Sequence, residues 1–290
     1  MMSSDYIVIL FYKFVAIADP DKLKEEQLEL AKRLNLTGRV IIATEGINAT
    51  LEGKIKDIAE YKKELVQDKR FSDIIFKDSE GTGGAFPKLK VKTRPEIVTL
   101  GAGVFDVKKE TAPEVTAEEL EKMYAEEEDF VVLDLRNDYE VATGYFKNTV
   151  NPELNNFRDL NQKIEALKDL KNKKVVAVCT GGIRCEKATC LLKRQGFSDI
   201  YQLKDGIHTY MEKYPARNFK GTLFVFDNRM VTSVVEAPQR EVVGVCVFCR
   251  SMTEKYANDD SVTPSKKILC CDECFKMNKD RLREPVALKS

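Results

Sequence analysis

The sequence predicts a mixed α/β protein with an N-terminal α+β domain, a central α/β domain built on a parallel sheet, and a small cysteine-rich C-terminal segment. Two observations predict this class. Apolar runs of strand length alternate with amphipathic helical patterns through the first two-thirds of the chain. Two C-x-x-C pairs follow beyond residue 245. A chain of 290 residues is long enough for two or three domains, each with its own core.

Residues 1–103 are predicted to form the first domain. Its patterns predict a strand, a helix, two strands, a helix and a strand, in the order βαββαβ that is typical of a ferredoxin-like fold. The glycine-rich stretch 79–84 is predicted to be a loop, and two further runs complete the domain. The predicted segments are, in order, 5–14, 20–34, 38–43, 47–51, 54–67, 73–77, 86–92 and 96–100.

Residues 113–216 are predicted to form the second domain, after a linker over 101–113. Thr116 is suited to cap a helix that begins with glutamates, and Gly196 is suited to end a later helix. The patterns predict strands over 130–135 and 175–178 and a helix over 184–195. Strands that alternate with helices predict a parallel sheet, and such a sheet binds ligands at the carboxyl ends of its strands.

A reactive cysteine is predicted where the strand 175–178 ends. Cys179 is followed by the loop Thr180-Gly181-Gly182-Ile183 and then by Arg184 at the start of the helix. The backbone N–H groups of such a loop and the positive end of a helix favour an anion, so the Cys179 thiol should ionise readily. We therefore predict that Cys179 is catalytic, and that Arg184 either neutralises a sulfur anion or binds an anionic sulfur donor.

Three further residues are predicted to assist Cys179. Cys185 could accept sulfur from Cys179 or form a disulfide with it, and the sequence leaves both roles open. Asp134 and Arg136 follow the strand 130–135 and are predicted to brace the loop through hydrogen bonds. Four residues separate Cys179 from Arg184, which suits a terminal sulfur better than the larger phosphate group that cysteine phosphatases hold.

The loop and its surroundings resemble a rhodanese domain. The residues that carry the resemblance are the loop itself, Asp134-Leu135-Arg136-Asn137 upstream and Leu203-Lys204-Asp205-Gly206-Ile207 downstream. The resemblance covers residues 113–215. It implies a rhodanese-like fold in which the catalytic cysteine carries a persulfide.

The segment 217–290 contains the two cysteine pairs, Cys246 with Cys249 and Cys271 with Cys274. This is the usual spacing of a tetrahedral zinc site with four thiolate ligands, and such a closed site would be structural. Cys270 lies next to Cys271 and leaves the identity of one ligand open. Four reduced thiols without metal are the alternative.

A row of cations alternates along the end of the first domain. Lys88, Lys90, Lys92 and Arg94 would all point to one side of an extended segment. An RNA backbone could bind such a row. A solvated sheet edge is the alternative interpretation.

The composition excludes some classes of function. The 47 basic and 47 acidic side chains cancel, so the net charge neither supports nor excludes a nucleic-acid partner. Eight cysteines without a secretory signal predict a cytoplasmic protein with reduced thiols, and the apolar run 6–12 is too short for a membrane span. The single histidine, His208, excludes an iron site that needs two histidines. No motif for an organic cofactor is evident.

The complete order of these features resembles the bacterial tRNA uridine hydroxylases over nearly the whole chain. Besides the sulfur loop and the cysteine tail, the segments that carry this resemblance are Thr44-Glu45-Gly46-Ile47-Asn48-Ala49-Thr50, Pro87-Lys88-Leu89-Lys90-Val91-Lys92 and Phe224-Val225-Phe226-Asp227-Asn228-Arg229. The resemblance implies a tRNA-modifying enzyme that makes 5-hydroxyuridine at the wobble position, with molecular oxygen as co-substrate. It also implies Cys179 as the active cysteine, a persulfide as its form, and tRNA and a persulfide donor protein as partners.

The chain departs from this family in one segment. Members of the family carry additional cysteines between the two pairs, around an Asn-Cys-Ala-Asn-Pro segment, whereas Tyr256-Ala257-Asn258-Asp259-Asp260 contains none. This difference favours a single four-thiolate site.

Two other functions stay open at this point. A persulfide sulfurtransferase acting on a small molecule or a carrier protein would need only the central domain. A non-catalytic RNA-binding module would need only the basic row and the cysteine tail. The intact Cys179, Gly181, Gly182 and Arg184 argue against the second of these.

Overall fold

The structure is a computed structural model, and it describes residues 5–232 and 241–285. The chain divides into two compact units between Thr99 and Leu100. Among the described residues, none of the helices has the length and apolar character needed to cross a lipid bilayer.

The first unit contains a five-stranded sheet with two helices. Its elements are β1 (Tyr6–Phe14), α1 (Pro20–Arg33), β2 (Thr37–Ala43), β3 (Gly46–Lys54), α2 (Ile55–Leu65), β4 (Lys77–Glu80) and β5 (Leu89–Thr93). The strand order is β4-β1-β3-β2-β5, with antiparallel pairing except between β2 and β5. The predicted βαββαβ order and the ferredoxin-like fold are confirmed, and β5 adds a parallel edge strand.

Both helices cover the same face of this sheet. Leu23 of α1 and Tyr61 of α2 belong to one buried cluster with Phe11 of β1 and Val40 of β2. Successive residues of a strand point to opposite faces, so the residues between these core positions lie on the face without helices. On β2 this alternation separates buried Val40 from Arg39, whereas on β1 both faces are apolar, and Val8 lies in a second buried cluster on the face without helices.

Two predicted segments differ from the structure. The predicted strand over 73–77 is wrong, because turns with backbone hydrogen bonds hold the chain up to Ile74, and pairing with β1 begins only at Lys77, opposite Leu10. The run 96–100 forms no strand either. Side chains satisfy the backbone of Ile97 instead, since its N–H donates to Glu45 (2.8 Å) and its carbonyl accepts from Asn48 (2.9 Å).

The second unit begins with a parallel sheet flanked by helices. Its elements up to residue 213 are α3 (Val107–Glu110), β6 (Glu114–Val115), α4 (Ala117–Ala125), β7 (Val131–Asp134), α5 (Asp138–Val141), β8 (Gly144–Phe146), β9 (Thr149–Val150), a 3₁₀ turn (Phe157–Asp159), α6 (Leu160–Lys163), a second 3₁₀ segment (Glu165–Leu170), β10 (Val175–Val178), α7 (Ile183–Arg194), β11 (Ile200–Leu203) and α8 (Gly206–Lys213). The strand order is β6-β11-β10-β7-β9, and every pair is parallel. The predicted cap is confirmed, since Thr116 accepts the backbone N–H of Glu119 at 3.1 Å.

The cysteine-rich segment packs onto this sheet domain within the same unit. Its elements are β12 (Phe219–Gly221), β13 (Leu223–Phe224), β14 (Val231–Thr232), β15 (Tyr256–Asp259), β16 (Lys266–Leu269), α9 (Asp272–Met277) and β17 (Leu282–Arg283). β12 pairs with β8, and β15 lies between β16 and β17. The Tyr256 hydroxyl donates to the carbonyl of Tyr139 in α5 at 2.6 Å. The segment therefore contacts the helix next to the sulfur loop.

Candidate active site

The predicted sulfur loop lies at the carboxyl end of two adjacent parallel strands. Val178, the last residue of β10, pairs with Asp134, the last residue of β7, and Cys179 follows directly. Gly182 adopts a φ of +99° and donates its N–H to the Cys179 Sγ at 3.2 Å. The positive φ requires glycine, because it turns the chain back over the sulfur before α7 begins. The loop thus directs a backbone donor at the thiol.

The start of α8 holds the loop from its other side. The N–H of Ile207 donates to the Cys179 carbonyl at 3.0 Å, and the N–H of His208 donates to the Thr180 carbonyl at 3.1 Å. Gly206 has a φ of +73°, and a Cβ there would lie 2.7 Å from both the Cys179 carbonyl oxygen and the Gly182 nitrogen. Only glycine permits this approach of the two backbones.

Cys179 is fully buried, and its surroundings favour the thiolate. Burial alone would raise its pKa. The Cys185 thiol, the charge of Arg184 and the backbone N–H groups of Arg184 and Cys185 outweigh burial and lower the pKa of Cys179 from 9.0 to about 5. At neutral pH the sulfur is therefore an anion.

Arg184 acts on Cys179 through its positive charge, whereas its side-chain hydrogen bonds are made to Glu140 and Thr180. Its guanidinium donates to both carboxylate oxygens of Glu140, at 2.5 and 2.8 Å, and to the Thr180 hydroxyl at 3.1 Å. Burial opposes the charge of Arg184, but the charge and hydrogen bonds of Glu140 raise the pKa of Arg184 above its usual value. Glu140 is fully buried, so this is a buried pair rather than a salt bridge on the helix surface.

Asp134 and Arg136 support the segment that carries Glu140. Arg136 Nε and Nη2 donate to the Asp134 carboxylate at 2.9 and 2.6 Å, and both side chains are fully buried. Arg136 Nη2 also donates to the Gly144 carbonyl at 2.7 Å, beyond the end of α5. Their contacts with the loop are indirect, through the position of α5.

Cys185 lies in the first turn of α7 and is fully buried. Burial and the neighbouring Cys179 sulfur raise its pKa well above the usual value. At neutral pH it is therefore a neutral thiol beside a thiolate. Such a thiol donates a hydrogen bond more readily than it attacks as a nucleophile.

Sequence reasoning missed Glu140 and the aromatic residues beside Arg184. The Phe226 ring lies over the Arg184 guanidinium, with 5.8 Å from its centroid to Cζ, and Tyr139 precedes Glu140. Asn137 with Glu140 three residues later was a helix-start signal, and the N–H of Asn137 does donate to Glu140 at 2.9 Å. No signal in the sequence pairs Glu140 with a residue 44 positions away.

The four predicted metal ligands form one cluster. The sulfur atoms of Cys246, Cys249, Cys271 and Cys274 all lie within 4.8 Å of one another, and those of Cys249 and Cys271 are 3.6 Å apart. Sulfurs around a tetrahedral zinc ion lie about 3.8 Å apart for a Zn–S bond of about 2.3 Å, so the donor set fits zinc. Cys270 is buried and lies outside the cluster. The four thiols can thus bind a metal ion.

The basic row lies on β5 and its flanks. Leu89 and Val91 pack against the core of the first unit, so Lys90 and Lys92 point to the opposite face of the strand. Arg39 of β2 pairs with Lys90. Partial burial and the charges of Arg94, Lys90, Arg39 and Lys88 lower the pKa of Lys92, which shows that these cations lie close together.

Comparison with known proteins gives three family matches along the chain. Residues 6–97 match the UPF0176 acylphosphatase-like domain, residues 116–213 match the rhodanese-like domain, and residues 220–284 match the domain described as rhodanase C-terminal. The first two matches agree with the ferredoxin-like and rhodanese-like folds described above.

Curated relatives match almost the full length. A protein of Corynebacterium kroppenstedtii is 40% identical over 94% of this chain and 94% of its own length. Proteins of Staphylococcus carnosus and the Aster yellows witches'-broom phytoplasma are each 38% identical, over 96% and 92% of this chain and 92% and 88% of their own lengths. All three are named tRNA uridine(34) hydroxylase.

Proposed function

Because the chain belongs to the family of the tRNA uridine(34) hydroxylases, we propose that it hydroxylates the uridine at the wobble position of tRNA to 5-hydroxyuridine. The observation that carries this proposal is identity of 37–40% along nearly the whole chain, with a buried thiolate in the sulfur loop. The enzyme would thus be an oxidoreductase that acts on tRNA in the cytoplasm.

We assign the reactive sulfur to Cys179, with Arg184 and Cys185 stabilising its anion. The persulfide form would arise when the Cys179 thiolate attacks the outer sulfur of a donor protein's persulfide. The sulfur–sulfur bond of the donor breaks, the donor thiolate leaves, and Cys179 keeps the outer sulfur. The loop Thr180–Ile183 and the pair Asp134 and Arg136 hold the geometry for this step.

Hydroxylation adds one oxygen atom at carbon 5 of uracil, and we propose molecular oxygen as its source. The second oxygen atom leaves as water, after it takes up two electrons from a cellular reductant and two protons from the solvent. Within the chain, the role supported by the geometry is to hold sulfur as an anion in a buried site.

We propose that the first domain, residues 1–103, binds the tRNA backbone through Lys88, Lys90, Lys92 and Arg94. Its support is the clustering of these cations with Arg39 on the face of the sheet without helices. Replacing Lys88, Lys90 and Lys92 with glutamine should weaken tRNA binding and reduce the slope of log affinity against log salt by about two. The matched control replaces Lys22, Lys32 and Lys56, which are exposed on α1 and α2. Equal losses in both triple variants would refute the assignment.

We propose a structural zinc ion for Cys246, Cys249, Cys271 and Cys274 in the third domain, residues 217–290. Four thiolates fill a tetrahedral shell and leave no position for substrate. The metal would stabilise the fold around α9, and the chemistry would stay with the second domain, residues 113–216.

Nucleoside mass spectrometry tests the function directly. Cells that lack this protein should lose 5-hydroxyuridine from tRNA, and the wild-type protein should restore it while Cys179→Ala does not. Circular dichroism of the purified variant shows whether the fold is intact. Full restoration by Cys179→Ala would refute the role of the thiol. Unchanged 5-hydroxyuridine in the deletion strain, with sulfur transfer by the purified protein, would instead favour a persulfide sulfurtransferase.

A further inference from the structure

Two half-buried aromatic rings lie beside the buried ion pair at the sulfur loop. The Arg184 guanidinium lies over the ring of Phe226, which follows β13, with 5.8 Å from Cζ to the ring centroid. Tyr139 lies in α5 directly before Glu140, the partner of that guanidinium, and is close enough to contribute to the raised pKa of Arg184. Both rings are half-buried, so part of each stays accessible.

A third ring anchors both of them. Phe224 is 1% exposed, and its centroid lies 5.2 Å from those of Tyr139 and Phe226 in edge-to-face arrangements. It makes the same contact with Tyr256, whose hydroxyl donates to the Tyr139 carbonyl. Edge-to-face pairs fix the ring planes, so the two accessible rings are held in a set orientation.

The chemistry of this surface selects a flat, uncharged ligand. The guanidinium of Arg184 donates to both carboxylate oxygens of Glu140 and lies over the Phe226 ring, so its hydrogen bonds are made within the protein. Phe226 and Tyr139 are both partly accessible. Unpaired RNA bases stack on such rings, and enzymes that modify a base in RNA act on a base that has left its stack.

We propose that Phe226 and Tyr139 form a stacking platform that holds the target uracil ring of single-stranded RNA beside Arg184 of the Cys179 loop. The platform rests on the proposed function, because the target base is identified from that function. It also assigns a role to the segment 217–290, since Phe226 comes from outside the rhodanese-like sheet. The two rings are positioning residues, while the reactive sulfur belongs to Cys179.

The test measures RNA binding separately from hydroxylation. The probe is an anticodon stem–loop RNA with 5-bromouridine at the wobble position, used for affinity measurement and for photocrosslinking to the full-length protein. Phe226→Leu and Tyr139→Leu should each weaken binding about tenfold, and the crosslink should fall in parallel. Phe226→Tyr keeps the ring and should bind like the wild type.

Phe248 provides a matched control. It is also an accessible phenylalanine close to an arginine, with 5.5 Å between its centroid and the Arg281 Cζ, but it lies between Cys246 and Cys249 in the sequence. Phe248→Leu should leave the affinity and the crosslink unchanged. The ionisation of Cys179 should be the same in all variants, because the Arg184–Glu140 pair is kept.

Wild-type affinity and crosslinking in both leucine variants would overturn the platform. Loss of binding in the leucine variants, combined with absence of 5-hydroxyuridine formation by the wild-type enzyme, would refute the proposed function and leave the stacking surface in place. Hydroxylation by the wild type with unchanged kcat and KM in both variants would refute the platform alone.

Discussion

Ionisation of Cys179 is the property on which the site depends, and one pair of substitutions tests it. The fall of its pKa from 9.0 to about 5 means that the thiolate outnumbers the thiol about a hundredfold at neutral pH. This fall corresponds to about 5 kcal/mol in favour of the anion. Replacing Arg184 with glutamine removes the positive charge that lowers this pKa, and the pKa of Cys179 should then rise by about one to three.

The Arg184→Gln substitution is combined with Glu140→Gln. Arg184→Gln alone would leave a buried carboxylate unpaired and could cost about 3–5 kcal/mol of stability, so Glu140→Gln is made in the same chain. The assay is the ultraviolet absorbance of the thiolate, recorded as a difference against Cys179→Ser so that the other seven cysteines cancel. Absorbance is preferred to alkylation because the thiol is fully buried. The rate of alkylation would depend on how easily the reagent reaches the thiol as well as on its ionisation.

The pH dependence of stability gives a second measurement of the same quantity. Folding lowers the pKa of Cys179, so the thiolate stabilises the native protein fully above about pH 9, and this contribution disappears as pH falls to about 5. The fully reduced wild type should therefore gain stability relative to Cys179→Ser between these two pH values, as measured by denaturant unfolding. A titration of Cys179 near 9.0, unchanged in the double variant, would refute the electrostatic account of the site.

The other predictions concern the cluster and the loop. The purified protein should contain about one zinc ion per chain; Cys271→Ser should release it, whereas Cys270→Ser, one residue earlier, should retain it, as measured by elemental analysis. Retention of zinc by Cys271→Ser would contradict the ligand assignment. Gly206→Ala should displace the sulfur loop and destabilise the protein by several kcal/mol, because its Cβ would meet the Cys179 carbonyl oxygen at 2.7 Å. Gly101→Ala is the matched control, since Gly101 has a similar φ of +68° and no atom within 4 Å of a Cβ, so only the backbone strain remains. Equal losses of stability in thermal unfolding would show that the close approach at Gly206 is unimportant.

The sequence predicts those parts of the fold that follow from local patterns. The strand at β10, the helix α7 ending before Gly196 and the cap at Thr116 all depend on residues within a few positions of one another. The beginning of β4 could not be predicted in this way. It depends on pairing with Leu10, a residue 67 positions before Lys77, and on turns that delay this pairing.

In the candidate site too, local patterns predict some residues, and long-range packing determines the others. Cys179, Gly182 and Arg184 lie within six positions, so spacing alone brings them together. The partner of Arg184 and the ring that covers it come from α5 and from the chain after β13, and long-range packing selects them. The sequence contains many carboxylates and many phenylalanines, and no local pattern identifies Glu140 or Phe226 as the residue that contacts Arg184.

The hydrogen bond from Tyr256 to the Tyr139 carbonyl connects α5 to β15, a strand that lies more than a hundred positions later in the chain. A fragment truncated after residue 216 would lose this donor together with Phe224 and Phe226, so experiments on an isolated central fragment would report on a site without the ring beside Arg184.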